Sequence, residues 1–404
     1  MNNSPALLAR RILGVVLLML LPHGIWALAQ EESPPPRPTT PVAELNPSIL
    51  LFHASEHPDG VRLVRRAARL GCRRVNVVVT MLCKINKTRH VTSFGLWQKN
   101  KYVALNEKLL SEFRAALEAT FAEAAAHDMD LAVLVHLDSW GKIDDWRNHF
   151  RFDPLVRHGK FSYQEALITP IADALAATVT PSTRVDFSIA GEMGRSVFAH
   201  ADSYAQLANQ LHRDRRLPNL QVGVSLNFSS VAGGRQPTAA EREQMQRLVD
   251  RCDFVGLSDY RPFELPPDPN DFARTVDAFV QEMAHHGAHL PDALPLHFSE
   301  VGLGGGKENG VPARTPAEAA QTPWKGCNDP RQNPWRRRNM RQLRIDFYRA
   351  LLEFLAHQGS AHRVTQAFLW SEGSWDPQGI LDPAFADPEI IRLIRLHNEV
   401  PSAR

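Results

Sequence analysis

Four cysteines in 404 residues are too few for a disulfide framework, and Cys72, Cys83, Cys252 and Cys327 contain no Cys-x-x-Cys pair. A zinc ribbon and thioredoxin-type redox chemistry are thereby set aside. Charge of one sign is also missing: 46 Lys and Arg stand against 44 Asp and Glu, which leaves no surplus for phosphates, so no nucleic-acid partner is expected. Neither His-x-His nor His-Glu-x-x-His occurs, and no Gly-x-Ser-x-Gly elbow is present, which demotes zinc and serine-nucleophile hydrolysis. The early apolar stretch Ile12 to Leu21 is broken by Pro22 and Gly24, well short of the roughly 20 residues of a spanning helix.

That stretch follows Arg10-Arg11 and precedes Ala27-Leu28-Ala29, the order of a signal peptide with its cleavage site. Residues 1–29 are read as a leader, the product as periplasmic or secreted, with no membrane insertion after cleavage. Residues 30–47 carry Pro34-Pro35-Pro36, Pro38, Pro41 and Pro47, the composition of an extended linker that buries little surface. Residues 48–400 are left as one folded domain, expected to be monomeric.

Within it, eight short runs rich in Val, Ile, Leu and Phe alternate with helical spacing: Ser48 to His53, Arg74 to Thr80, Asp130 to Leu137, Val185 to Glu192, Gln221 to Phe228, Asp253 to Tyr260, Leu294 to Gly302 and Val364 to Trp370. Eight strand-helix units are the number that closes a parallel sheet, so the pattern predicts an α/β fold, a (β/α)8 TIM barrel. Helix-to-strand connections are short, whereas Met81 to Leu105, Asp138 to Ser162 and Leu303 to Asn333 are long loops after strands. Such loops lie on the face where barrels build active sites. Cys83 and Cys327 both fall in them, and a Cys83 to Cys327 disulfide is predicted.

On that face the residues that close each run carry the chemistry. Glu192 closes the fourth run and Glu300 the seventh. A carboxylate at an apolar strand end is costly to desolvate and persists when it is satisfied or used. Paired, one protonated and one ionised, two carboxyls cleave a glycosidic bond with retention from about 5 to 5.5 Å apart. Glu192 would then need a raised pKa, and Glu300 would need to stay ionised. Glu372 and Asp376 are reserves for Glu300.

The segment Asp253 to Pro262, with Tyr260, resembles strand six of the β-mannanases and endo-β-1,4-galactanases of clan A, the retaining glycosidases on (β/α)8 barrels. Ser299-Glu300-Val301-Gly302 resembles the nucleophile strand of glycoside hydrolase family 113, and Gln342 to Trp370 its closing unit. His136 to Trp140 is similar to strand three of the galactanases. The resemblance implies Glu192 as general acid/base, Glu300 as nucleophile, Tyr260 as a hydroxyl beside Glu300, and Trp370 as the floor of the sugar subsite. The clan usually places Asn before the acid/base, and here Gly191 stands in that position, so the usual amide contact to the sugar is missing.

Other rim residues fit sugar handling. Trp140 and Trp375, like most of the eight tryptophans, fall in loops where an indole face suits a pyranose. Asn227 is either a donor to a hydroxyl or a turn former. His136 and Asp138 are either a structural pair or substrate contacts. The reading is a retaining glycosidase acting on a β-linked polysaccharide or oligosaccharide, with no metal and no cofactor. Its rivals are a barrel that binds polysaccharide without cutting it and a metal-dependent hydrolase using His53, Glu56, His136, Asp138 and His297.

Overall fold

The eight apolar runs form eight parallel strands that close on themselves in a computed structural model, which describes residues 43–52, 59–98, 101–143, 145–327, 329–370 and 380–399. They are β1 (Glu44–Phe52), β2 (Arg74–Ile85), β3 (Asp130–Ser139), β4 (Val185–Gly191), β5 (Leu220–Asn227), β6 (Phe254–Asp259), β7 (Leu296–Val301) and β8 (Val364–Leu369). Each pairs with its sequence neighbours, and β1 pairs with both β8 and β2, which closes the (β/α)8 barrel. Around it lie α1 (Asp59–Arg69), α2 (Glu107–Ala126), α3 (Thr169–Thr178), α4 (Ala201–His212), α5 (Ala239–Val249), α6 (Pro269–His285), α7 (Arg338–His357) and α8 (Pro388–Asn398). Side-chain caps fix the starts of α2, α5, α6 and α8. At α5, for example, Thr238 and Glu241 form a reciprocal capping box. Among the described residues no helix is long and apolar enough to cross a membrane.

Two boundaries differ from the sequence reading. β1 begins at Glu44, inside the stretch read as linker: Glu44 to Pro47 pair with Gln366 to Leu369 of β8, and pairing passes to β2 from Ser48 onward. Proline composition hides this strand, because Pro47 lacks an N–H and sits where one ladder hands over to the other. Met81 to Leu105 is mostly not a loop. β2 runs on to Ile85, Val91–Gln98 returns antiparallel against it, and Lys101–Ala104 pairs with that strand.

This extension also overturns the predicted disulfide. Cys83 is buried within β2, facing Phe94 and Ser139 in the neighbouring strands, while the Cys327 thiol lies against the carbonyls of Gly310 and Gln332. Cys83 is a free thiol. Burial raises the thiol pKa of Cys83 well above the usual value, so it is an inert core residue.

The barrel interior is unusually polar. Ser188 donates to Ser225 at 2.8 Å, and Ser225 meets Ser299 at 2.5 Å. Gly256 makes room for them, since a Cβ there would stand 2.0 Å from Ser299 Oγ. Deeper, Arg74 pairs with Asp186 out of water, and His297 stacks on Phe254 with ring centroids 4.1 Å apart. Leu50, Val78 and Leu134 form a small apolar layer under Trp370, separate from the core between strands and helices.

Candidate active site

A one-residue slip at the end of β7 aims the first carboxyl. Leu257 of β6 faces Phe298, but Ser258 faces Glu300. Period-two alternation would put Ser299 inside and Glu300 outside. The extra residue lets both face the interior, while Val301 packs into the outer core. Bulges of this kind re-aim side chains beside active sites.

A different device aims the second. Glu192 follows β4 with φ 54, a left-handed conformation that costs a residue bearing a Cβ about 1–2 kcal/mol and is concentrated at functional sites. Its N–H donates to Ser225 O at 3.0 Å. Gly191, just before it, fits because His136 of β3 fills the adjoining space: a Cβ would meet the imidazole at 2.5 Å and the carbonyl of Val135 at 2.7 Å.

Three donors hold the Glu192 carboxylate. Asn227 Nδ2 donates to Oε1 at 2.7 Å; Trp146 Nε1 and Arg147 Nη1 each donate to Oε2 at 3.1 Å. Arg147 spans two acids, since its Nη2 donates to Asp138 at 2.7 Å. Asn227 also accepts from Ser229 N at 3.1 Å, so it is both donor and turn former.

Glu300 is only 2 % exposed. The Tyr260 hydroxyl donates to its Oε2 at 3.2 Å, and His136 Nε2 lies 2.9 Å from Oε1 without the alignment of a hydrogen bond. Burial pushes the Glu300 carboxyl up to about 7, with Arg147 and the Tyr260 hydroxyl acting against it. Burial, then Arg147, pushes His136 down to about 3, so its ring is neutral at pH 7. Burial therefore raises Glu300, the carboxyl that the sequence reading needed to stay ionised.

The structure thus places Glu192, Glu300, Tyr260, Asn227, His136 and Asp138 at the carboxyl ends of the strands, with the charge of Arg147 felt by Asp138, Glu192 and Glu300. His136 and Asp138 are not each other's partners; the first faces Glu300 and the second Arg147. Trp370 packs on Leu50, Val78 and Leu134, its ring centroid 5.4 Å from that of His136. Trp140 lies at the rim, 43 % exposed, edge-on to Trp97 at 4.2 Å. Trp375, Glu372, Asp376, His53 and Glu56 lie outside the described residues. His297 is deep in the barrel, away from the rim, and burial lowers it to about 4. Among the described residues no group of three or more His, Cys, Asp or Glu is arranged to hold a metal ion.

Sequence reasoning missed Arg147, and it counted Trp146 only among the loop tryptophans suited to sugar rings, not as a donor to Glu192. The signal available was a run of polar and aromatic residues, Asp145-Trp146-Arg147-Asn148, in the long connection after β3. Its parallel bridge to the hairpin, with Val91 N donating to Arg151 O at 3.0 Å, folds that connection over Glu192.

No protein-family model and no curated protein sequence matches the chain. Solved structures share its fold. A GH113 β-1,4-mannanase, solved as a complex, aligns over 89% of this chain and 99% of its own with 14% identity and a TM-score of 0.53. The GH113 β-mannanase of Alicyclobacillus acidocaldarius, in complex with ManMIm, aligns over 90% and 98% with 13% identity and a TM-score of 0.51. At such low identity the likeness speaks for architecture: this chain is built on the same (β/α)8 barrel as those glycosidases, over nearly their whole length.

Proposed function

We propose that the protein is a retaining glycoside hydrolase of a β-linked polysaccharide or oligosaccharide. The observation that carries the reading is the pair of strand-end carboxyls: Glu192 after β4, held by Arg147, and Glu300 in β7, held by Tyr260 beside His136, whose ring neighbours Trp370. In this mechanism Glu300 attacks the anomeric carbon as the glycosidic bond to the leaving oxygen breaks, and Glu192 delivers a proton to that oxygen. Water then displaces Glu300 from the sugar, giving its proton to Glu192, which restores both groups. The chemistry needs neither a metal nor an organic cofactor.

Two features of the site shape this mechanism. Arg147 must turn from Glu192 towards Asp138 as the glycosidic oxygen arrives, because a guanidinium and an acid proton compete for the same carboxylate oxygen. Tyr260 steadies the ionised form of Glu300, and neutral His136 contributes no charge beside it. Asn227, already donating to Glu192, is the amide that Gly191 does not supply. Trp370 and the Trp97–Trp140 pair offer aromatic faces to sugar rings. The leader-like first 29 residues fit export to a compartment where polysaccharide is met.

The engagement of both carboxyls by protein donors also fits a second reading, a barrel that binds polysaccharide without cutting it. Glu192→Gln and Glu300→Gln, made separately, decide between them. The hydrolase loses cleavage of a labelled β-linked oligosaccharide in each, and proton NMR of the wild-type reaction shows the β-anomer first. A folded wild-type protein that binds but never cleaves leaves the second reading, and the α-anomer first sinks retention.

A further inference from the structure

Beside Glu192, outside the network just described, four arginines converge. Arg195 lies three residues beyond Glu192 on the short helix Gly194–Ala199. Arg89 and Arg151 are tied backbone to backbone, Arg151 N donating to Arg89 O at 2.9 Å. Arg235 comes two residues after Gly233, whose absent side chain lets the chain pass over Arg195: a Cβ there would stand 2.6 Å from Cβ of Arg195. Burial, then the charges of Arg151, Arg235 and Arg89, lowers the pKa of Arg195.

Two of the four are matched. Arg89 pairs with Asp145, and Arg235 pairs with Glu241 at 2.6 Å. The next carboxylate, Asp153, faces His200 at 3.5 Å. Among the described residues neither Arg151 nor Arg195 has an acidic partner, and Nε of Arg151 is shut from water without an acceptor. Crowding like charges in a partly desolvated place is unfavourable unless an anion offsets it. The same loop serves both features, since Asp145 takes Arg89 while Trp146 and Arg147 reach Glu192. The basic patch therefore adjoins the loop that holds Glu192.

We propose that Arg151 and Arg195, flanked by Arg89 and Arg235, form a subsite for an anionic substituent on the glycan, making the substrate class an acidic β-linked polysaccharide; this rests on the glycosidase reading above. A guanidinium fork matches a uronate carboxylate or a sulfate ester with two parallel hydrogen bonds, so both sources share the chemistry that the subsite recognises.

The test is calorimetric binding to the Glu300→Gln protein, which separates affinity from turnover, with three probes: β-1,4-mannohexaose, a hexamer of β-1,4-linked mannuronate, and O-sulfated mannohexaose. At least one anionic probe is expected to bind about tenfold more tightly than the neutral one at low salt, with the advantage shrinking as NaCl rises. Which probe gains names the substituent. Adding Arg195→Gln or Arg151→Gln brings the ratio of anionic to neutral affinity to within about twofold, while Arg195→Lys, a control for folding, keeps part of it. Equal binding of all three probes, binding of none at millimolar concentration, or an advantage that survives both arginine substitutions overturns the proposal. If the wild-type protein never cleaves an anionic probe held in this arginine-dependent way, the subsite stands and the glycosidase reading falls. If it cleaves the neutral hexamer while showing no anionic preference, the reverse holds.

Discussion

Nε2 of His136 stands 2.9 Å from Oε1 of Glu300, and both side chains are almost wholly removed from water. The contact has the spacing of an ion pair without the charges of one at neutral pH. Burial pushes the imidazole down to about 3 and the carboxyl up to about 7, so near pH 7 a neutral ring faces a half-titrated acid. Charge in the site is instead anchored by Arg147, shared between Glu192 and Asp138.

The titration of Glu300 is therefore expected to have its midpoint near pH 7, read from the chemical shift of a 13C-labelled side-chain carboxyl. Tyr260→Phe removes a donor to Oε2 and moves the midpoint upward, since that hydrogen bond favours the ionised form. If Glu300 is the nucleophile, the rising limb of kcat/KM against pH follows the same midpoint and the same upward move. A midpoint near 4.5 in both proteins would sink this account.

The same shift sets a dependence of stability on pH. The folded-state pKa of Glu300 lies above the value of about 4.5 for an unperturbed glutamate, so folding favours the protonated form. Its contribution is fully present below about pH 4.5 and is lost as pH rises through about 7. Glu300→Gln, which cannot ionise, is expected to gain stability relative to wild type over that window, by on the order of 2–3 kcal/mol at pH 8. Urea unfolding of the two proteins at pH 4.5 and pH 8 checks it; a difference that does not grow with pH would contradict the burial argument.

The parts of this site that were legible in the sequence are those that local pattern determines. Apolar runs ending in Glu192 and Glu300 announce strand ends, and the short segment around Tyr260 announces its strand. Arg147 was harder to read because the polar and aromatic run around it does not by itself mark a loop arginine as the partner of acids on β3 and after β4; only closure of the barrel brings them together. Gly191 was visible as a departure, but its reason, the ring of His136 in the adjoining space, lies on another strand. Cys83 was misplaced for a similar reason. Whether residues 81–85 continue β2 depends on pairing with Val91–Gln98, and periodicity alone does not report it. The serine-lined interior was not foreseen either, because Ser188, Ser225 and Ser299 satisfy one another across three strands.

Arg147→Met is expected to be more damaging than its position in a loop implies. The substitution leaves Glu192, 7 % exposed in its side chain, facing Asp138 with no cation between them. Removing one member of a buried charge pair costs about 3–5 kcal/mol, with the lower end expected because Asp138 is partly solvated. Combining Arg147→Met with Asp138→Asn relieves part of the loss if the guanidinium serves both acids. A double-mutant cycle by chemical denaturation measures this coupling, and strictly additive effects would show that the two contacts are independent.

Gly191→Asn tests why this site differs from its clan resemblance. If the missing amide were a simple deficit, restoring asparagine before Glu192 would improve sugar binding. The geometry argues the opposite, because the new Cβ meets His136 Cδ2 at 2.5 Å and the backbone carbonyl of Val135 at 2.7 Å. The imidazole must then leave its place beside Glu300 or β3 must shift, at a cost of about 1–3 kcal/mol for overpacking. The expected outcome is a lower melting temperature and weaker oligosaccharide affinity together, and Gly191→Ala should show most of the stability loss because the clash begins at Cβ. Pairing Gly191→Asn with His136→Ala opens the space and should recover stability while leaving Glu300 without its neighbour. If Gly191→Asn alone is as stable as wild type and binds more tightly, His136 is not what excludes a side chain there, and the role assigned to Asn227 in its place fails as well.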